Sequence, residues 1–107
     1  MNNPNPIPND TTATLEAIAY NDGGEALLLI ACDSLDIYPQ QTVEDYSGRG
    51  MLGRECTAIV LETRQEAEAV ALQVSRLSGK AGKRIGASID SLGRSFVVYC
   101  PSRVYLA

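Results

Sequence analysis

The segment from Thr63 to Gly79 constrains the fold most, because its pattern allows only one local structure. Thr63 stands three residues before Glu66, the spacing of a capping box in which the hydroxyl accepts from the Glu66 amide and the carboxylate returns to the Thr63 amide. Ala67, Val70, Ala71, Val74 and Leu77 then recur every three or four residues, while Gln65, Glu68, Gln73 and Arg76 fall elsewhere on the helical wheel. Gly79 supplies a natural C-terminal stop. The spacing predicts a helix over 64–78 with one apolar stripe, and that stripe has to be buried against a second layer.

Its neighbours predict the layer. Cys56 to Leu61 is rich in β-formers and reads as a buried strand; Arg84 to Asp90 reads as another, followed by a SLGR turn and a strand from Ser95 to Cys100 that Pro101 ends. A short terminal strand is expected at Arg103 to Leu106. Upstream, Leu15 to Tyr20 and the apolar run from Glu25 to Cys32 flank the turn sequence NDGG and read as a β-hairpin. The expected fold is α+β, with one helix packed on a four- or five-stranded mixed β-sheet in the order β-β-loop-β-α-β-β. A chain of 107 residues is the size of one domain. Residues 13–107 are assigned to it, and the proline-rich residues 1–12 to a disordered lead-in.

The sequence contains no histidine, which removes Ser/His/Asp and Cys/His catalysis, and no paired carboxylates mark an acid–base centre. Cys32, Cys56 and Cys100 make an odd count without a CxxC pair, each beside apolar residues, so buried reduced thiols are expected rather than a disulfide framework or a metal site. No enzyme activity and no cofactor are expected. The apolar run from Ala26 to Ala31 is too short to cross a bilayer, and the N-terminus lacks the basic and apolar regions of a signal peptide, so the expectation is a cytoplasmic protein without a membrane partner.

The net charge of −4 hides an asymmetry. Through Glu55 nine acids face two bases, Arg49 and Arg54, a sum of −7; from Cys56 onward four acids face seven bases, a sum of +3. The acidic total argues against broad binding to nucleic acid, while a local basic pole on it suits a small anion or an acidic partner surface.

Residues 33–55 hold Pro39 and three glycines without a sustained period, and so long a connection inside a domain draws attention as a site. Gly48, Gly50 and Gly53 spell GxGxxG, yet a dinucleotide fingerprint must follow a strand and open a helix, and this one precedes a strand. Two readings of the loop remain. Its glycines could aim successive amides at an anion, with Arg49 and Arg54 as charged donors, or they could merely permit a tight path while the arginines pair with Glu44, Asp45 and Glu55. A right-handed parallel crossover from the Cys56 strand to the Arg84 strand would gather Arg49, Arg54, Lys80, Lys83, Arg84 and Arg103 at one pole, with the turn from Asp90 to Arg94 at the other. Tyr46 beside the loop is the aromatic that could stack on a base or anchor an interface.

The stretch YSGRGMLGREC, followed by DSLG and a VVY strand, resembles small uncharacterised proteins encoded by bacteriophages and prophages that share a YSGRGMxG loop and a DSxG turn. The likeness covers about Asp45 to Tyr99, with Leu92 standing where methionine is expected. It implies a phage or mobile-element origin and brings no established activity.

The expected function is therefore that of a small non-enzymatic binding protein that takes a host protein or a small phosphorylated ligand through Tyr46, Ser47, Gly48, Arg49, Gly50, Arg54, Lys80, Lys83 and Arg84. The alternative is a nucleic-acid-binding regulator using the Lys80 to Arg84 cluster. A homo-oligomer is compatible with either.

Overall fold

The structure, a computed structural model that describes residues 23–80 and 84–103, orders its elements as α1 (Gly23–Ser34), β1 (Gln41–Tyr46), a single 3-10 turn (Arg49–Met51), β2 (Cys56–Leu61), α2 (Arg64–Lys80), β3 (Ser88–Leu92) and β4 (Ser95–Pro101). The class is α+β, and among the described residues two helices pack against one four-stranded sheet of order β1-β2-β4-β3. Among the described residues every strand pairing is antiparallel, so the sheet they form is not mixed. β2 and β3 do run in the same direction, as the expected crossover requires, but β4 lies between them.

The helix read from the capping box is α2. The Glu66 amide donates to Thr63 Oγ1 at 3.1 Å, and Ala67, Val70, Val74 and Leu77 point into the core. The helix does not stop at Gly79 as expected but runs through it to Lys80, and the buried stripe ends at Ser78. Its buried hydroxyl donates to the Val74 carbonyl at 2.8 Å and accepts from the Ile85 amide at 2.7 Å, tying the start of the return path to the helix end. That tie leaves Arg84 to Ala87 without regular structure, and the strand begins at Ser88 rather than Arg84.

The run from Glu25 to Cys32, read as the second strand of a hairpin, is instead the body of α1. Leucine and alanine dominate it and both favour helix. Gly24, Leu27, Leu28, Ala31 and Cys32 are buried at helical spacing, so the apolar run has a helical face that its continuity concealed. Gly24 is required there, since a Cβ would stand 2.2 Å from the Pro101 carbonyl oxygen where the helix abuts the end of β4. Residues 33–55, read as one connection, contain β1, which pairs with β2 and is irregular between Val43 and Tyr46, where Asp45 takes a left-handed φ of 53°. The expected strand at 15–20, the lead-in at 1–12 and the strand residues 104–106 lie outside the described residues.

Both faces of the sheet are covered, which explains why all six residues of β2 are buried without alternation. On one face Ile59, Leu61, Val98 and Cys100 pack with both helices. On the other, Cys56, Ala58, Val60, Val97 and Tyr99 form a second cluster, covered by Val43, Tyr46 and Met51. The glycine and arginine loop therefore serves as the lid of the face on which, among the described residues, no helix packs.

Candidate functional site

The loop after β1 turns back over the sheet because two glycines let its backbone sit directly on an aromatic ring. A Cβ at Gly48 would lie 2.0 Å from Cε2 of Tyr99, and one at Gly50 would lie 2.9 Å from the Tyr99 hydroxyl. Tyr99 itself is fully buried in β4. Gly48 is extended with φ −86°, so its glycine answers a close approach and not a left-handed backbone; Gly53, at φ 78°, answers the latter.

Asp90 fastens this path. Its Oδ2 accepts from the Tyr46 hydroxyl at 2.9 Å and from the Arg49 amide at 3.2 Å, and its Oδ1 accepts from the Tyr99 hydroxyl at 3.0 Å. The Tyr99 oxygen in turn accepts from the Gly50 amide at 2.6 Å. The two phenol rings lie 5.1 Å apart and tilted by 51°. Asp90 was expected at the far pole with the following turn. It lies under the loop because β3 starts only at Ser88 and the register places Ser88 beside Tyr99 and Asp90 beside Val97, on the loop-bearing face.

The electrostatics follow from these bonds. Burial raises the Asp90 carboxyl, but the Arg49 amide and the two phenols outweigh it and hold the group below the ordinary carboxylate range. Burial and then the bond to Asp90 push Tyr46 up to about 12, and burial likewise raises Tyr99. An ionised carboxylate held by neutral phenols is the reverse of the poise a general acid needs. The cluster is a latch.

Four of the loop amides are spent inside the chain. Arg49 and Gly50 donate to Asp90 and Tyr99, Met51 to the Gly48 carbonyl at 3.2 Å, and Arg54 to the Met51 carbonyl at 3.2 Å. The anion held by the expected cradle is the protein's own Asp90. Ser47, Arg49, Leu52, Gly53 and Arg54 face solvent, and Leu52 is 82% exposed at the tip. Among the described residues, neither the Arg49 nor the Arg54 guanidinium closes a hydrogen bond or an ion pair, and the Arg49 charge adds a further pull that keeps Asp90 ionised.

The other cationic residues are not drawn to this place. Arg84 is turned onto α2, with Nη1 3.4 Å from Ser75 Oγ and its guanidinium over Gly79, on the helical side of the sheet. Lys80 is exposed at the end of the same helix, and Lys83 lies outside the described residues. Arg54 and Arg103 do share a pole: with Glu55 and Pro101 they line an open depression of about 330 Å3. Sequence reasoning missed Asp90 and Tyr99 as partners of the loop. The available signal was a carboxylate inside a strand, where aspartate is disfavoured unless something binds it.

Among the described residues no helix is long and apolar enough to cross a membrane. What the fold defines is an α+β protein in which the sheet face opposite the two described helices is closed by a latched loop. No family model, no curated protein and no solved structure matches the chain.

Proposed function

We propose that this chain is a non-enzymatic binding protein that takes a protein partner of its host through the tip of the 47–54 loop, with Leu52 as the apolar anchor and Arg49 and Arg54 as its cationic flanks. The observation that carries the reading is the combination of an 82% exposed leucine with a backbone fastened on both sides of it. Rigid presentation reduces the ordering that association costs, and the arginines that flank the exposed leucine are a residue type in which interface hot spots are enriched. The fitting partner surface is an apolar pocket rimmed by acids. A small phosphorylated ligand fits less well, because the Arg49, Gly50, Met51 and Arg54 amides are already donated within the chain. A nucleic-acid surface built on Lys80 and Arg84 is weakened by the Arg84 bond to α2. The resemblance to small phage and prophage proteins supports an origin in which a host-directed partner is the natural target.

Capture of the tagged protein from its host, followed by mass spectrometry, tests this against two variants. Leu52→Asp and the double Arg49→Ala, Arg54→Ala change should each leave stability within about 0.5 kcal/mol of the parent, as exposed substitutions do. Both should lose the captured partner, since truncating a hot-spot residue costs about 2 kcal/mol or more of binding. Retention of the same partner by both variants moves the functional surface elsewhere.

A further inference from the structure

Met51 stands between the latch and the anchor. Its thioether sulfur packs 3.7 Å from Cys56 Sγ, within the cluster that also holds Ala58, Val60, Val97 and Tyr99. Its amide and carbonyl both close bonds of the loop, the first to Gly48 and the second from Arg54. The residue before it, Gly50, is the one bonded to Tyr99, and the residue after it is the exposed Leu52. Met51 is only half-buried, whereas Cys56 is fully enclosed behind it, so a small oxidant arriving from solvent meets the thioether first.

We propose that Met51 is an oxidation site at which a peroxide unlocks the loop. A sulfur lone pair attacks one peroxide oxygen, the S–O bond forms as the O–O bond breaks, and the proton on the transferred oxygen passes, through solvent, to the departing hydroxide, which leaves as water. The sulfur is oxidised by two electrons and the peroxide is reduced by two. The product sulfoxide is polar and larger, and it cannot keep the thioether's seat against Cys56 and the apolar cluster. Met51 swings out, and the bonds on either side of it go with it. Cys56 is a poor competitor, since burial raises its thiol pKa and keeps it protonated. Methionine sulfoxide is reversible by the cell's sulfoxide reductases, which makes the site a switch rather than a lesion. Its effect on binding rests on the loop tip being the partner surface; the opening itself does not.

The test is hydrogen exchange of the Arg49 and Gly50 amides before and after treatment with hydrogen peroxide, with peptide mass spectrometry to locate the added oxygen and Met1 as the internal reference for a second methionine. Both amides should exchange at least about tenfold faster once Met51 carries oxygen, and a methionine sulfoxide reductase should restore the slow rate. Met51→Leu, which keeps an apolar side chain of similar volume, should retain slow exchange through the same treatment. The proposal is overturned if Met51 stays reduced while Met1 is fully oxidised, if exchange is unchanged in protein oxidised at Met51, or if Met51→Leu opens equally under peroxide. No partner is needed, so this result and the binding result can fail separately.

Discussion

Tyr46 and Asp90 are joined by a 2.9 Å hydrogen bond across 44 residues of sequence, and the bond links the two opposite edge strands of the described sheet, β1 and β3, over the face turned away from α1 and α2. Tyr99, on the strand between β2 and β3, holds the other oxygen of the same carboxylate. One aspartate therefore closes a face by gathering one donor from each of three segments.

Asp90→Asn should cost about 1.5–3 kcal/mol in urea denaturation, the range for hydrogen bonds to a charged group, because an amide presents one acceptor oxygen where the carboxylate receives three donors on two. The sign of the acid dependence follows. The folded carboxyl is held below its unfolded value, so its contribution is present above the ordinary carboxyl range and is lost as pH falls through the lower, folded value. Asp90→Asn should flatten that acid limb. Equal acid limbs in parent and variant would remove Asp90 as their source.

At the alkaline end the same bond works through the phenol. Tyr46 is raised from 10 to about 12 in the folded protein, so its share of stability is complete below pH 10 and fades as pH rises toward 12, where a phenolate can no longer donate to Asp90. Tyrosinate absorbance should show a late-titrating group that disappears in Tyr46→Phe. An unchanged titration curve in that variant would contradict the bond.

Gly48→Ala should destabilise by about 3 kcal/mol, the upper end of overpacking, since its Cβ would enter the Tyr99 ring. Gly93→Ala offers a contrast of a different origin: its Cβ meets nothing within 4 Å, and the cost there is the left-handed φ of 61°, about 1–2 kcal/mol. Thermal melts of the two variants should differ accordingly, and a Gly48→Ala melt as mild as that of Gly93→Ala would place the loop off the ring.

All three thiols are free and buried. Burial raises Cys32 to about 11 and Cys100 to about 12, and raises Cys56 as well, so thiolate is scarce at neutral pH. A thiol reagent should label the native protein slowly and three equivalents should appear only on unfolding, in step with loss of structure. Rapid labelling of one cysteine in the native state would show that its cover opens.

How much of this was legible in the sequence depends on the range of the interactions involved. α2 was readable to within two residues, because a cap and a stripe lie within the helix they define. β2 and β4 were readable as apolar runs between breaks. The run around Leu27 was not, since a continuous apolar segment fits a buried strand and a buried helix equally until its neighbours choose, and here the Gly24 approach to Pro101 and the burial of one face on successive turns chose helix. The glycines of the loop were visible, and so was the tight path they allow. Their cause was not: the ring beneath Gly48 is Tyr99, fifty-one positions away, and the carboxylate in the loop is Asp90. By itself the sequence determined the α+β class, the second helix and the presence of an unusual Gly/Arg segment, all set by local spacing. Only the tertiary structure decided that β4 inserts between β2 and β3, and this register brings Asp90 under the loop amides. Contacts of that kind depend on which strands pair, and strand pairing is settled by the packing of the whole chain and not by any one stretch of it.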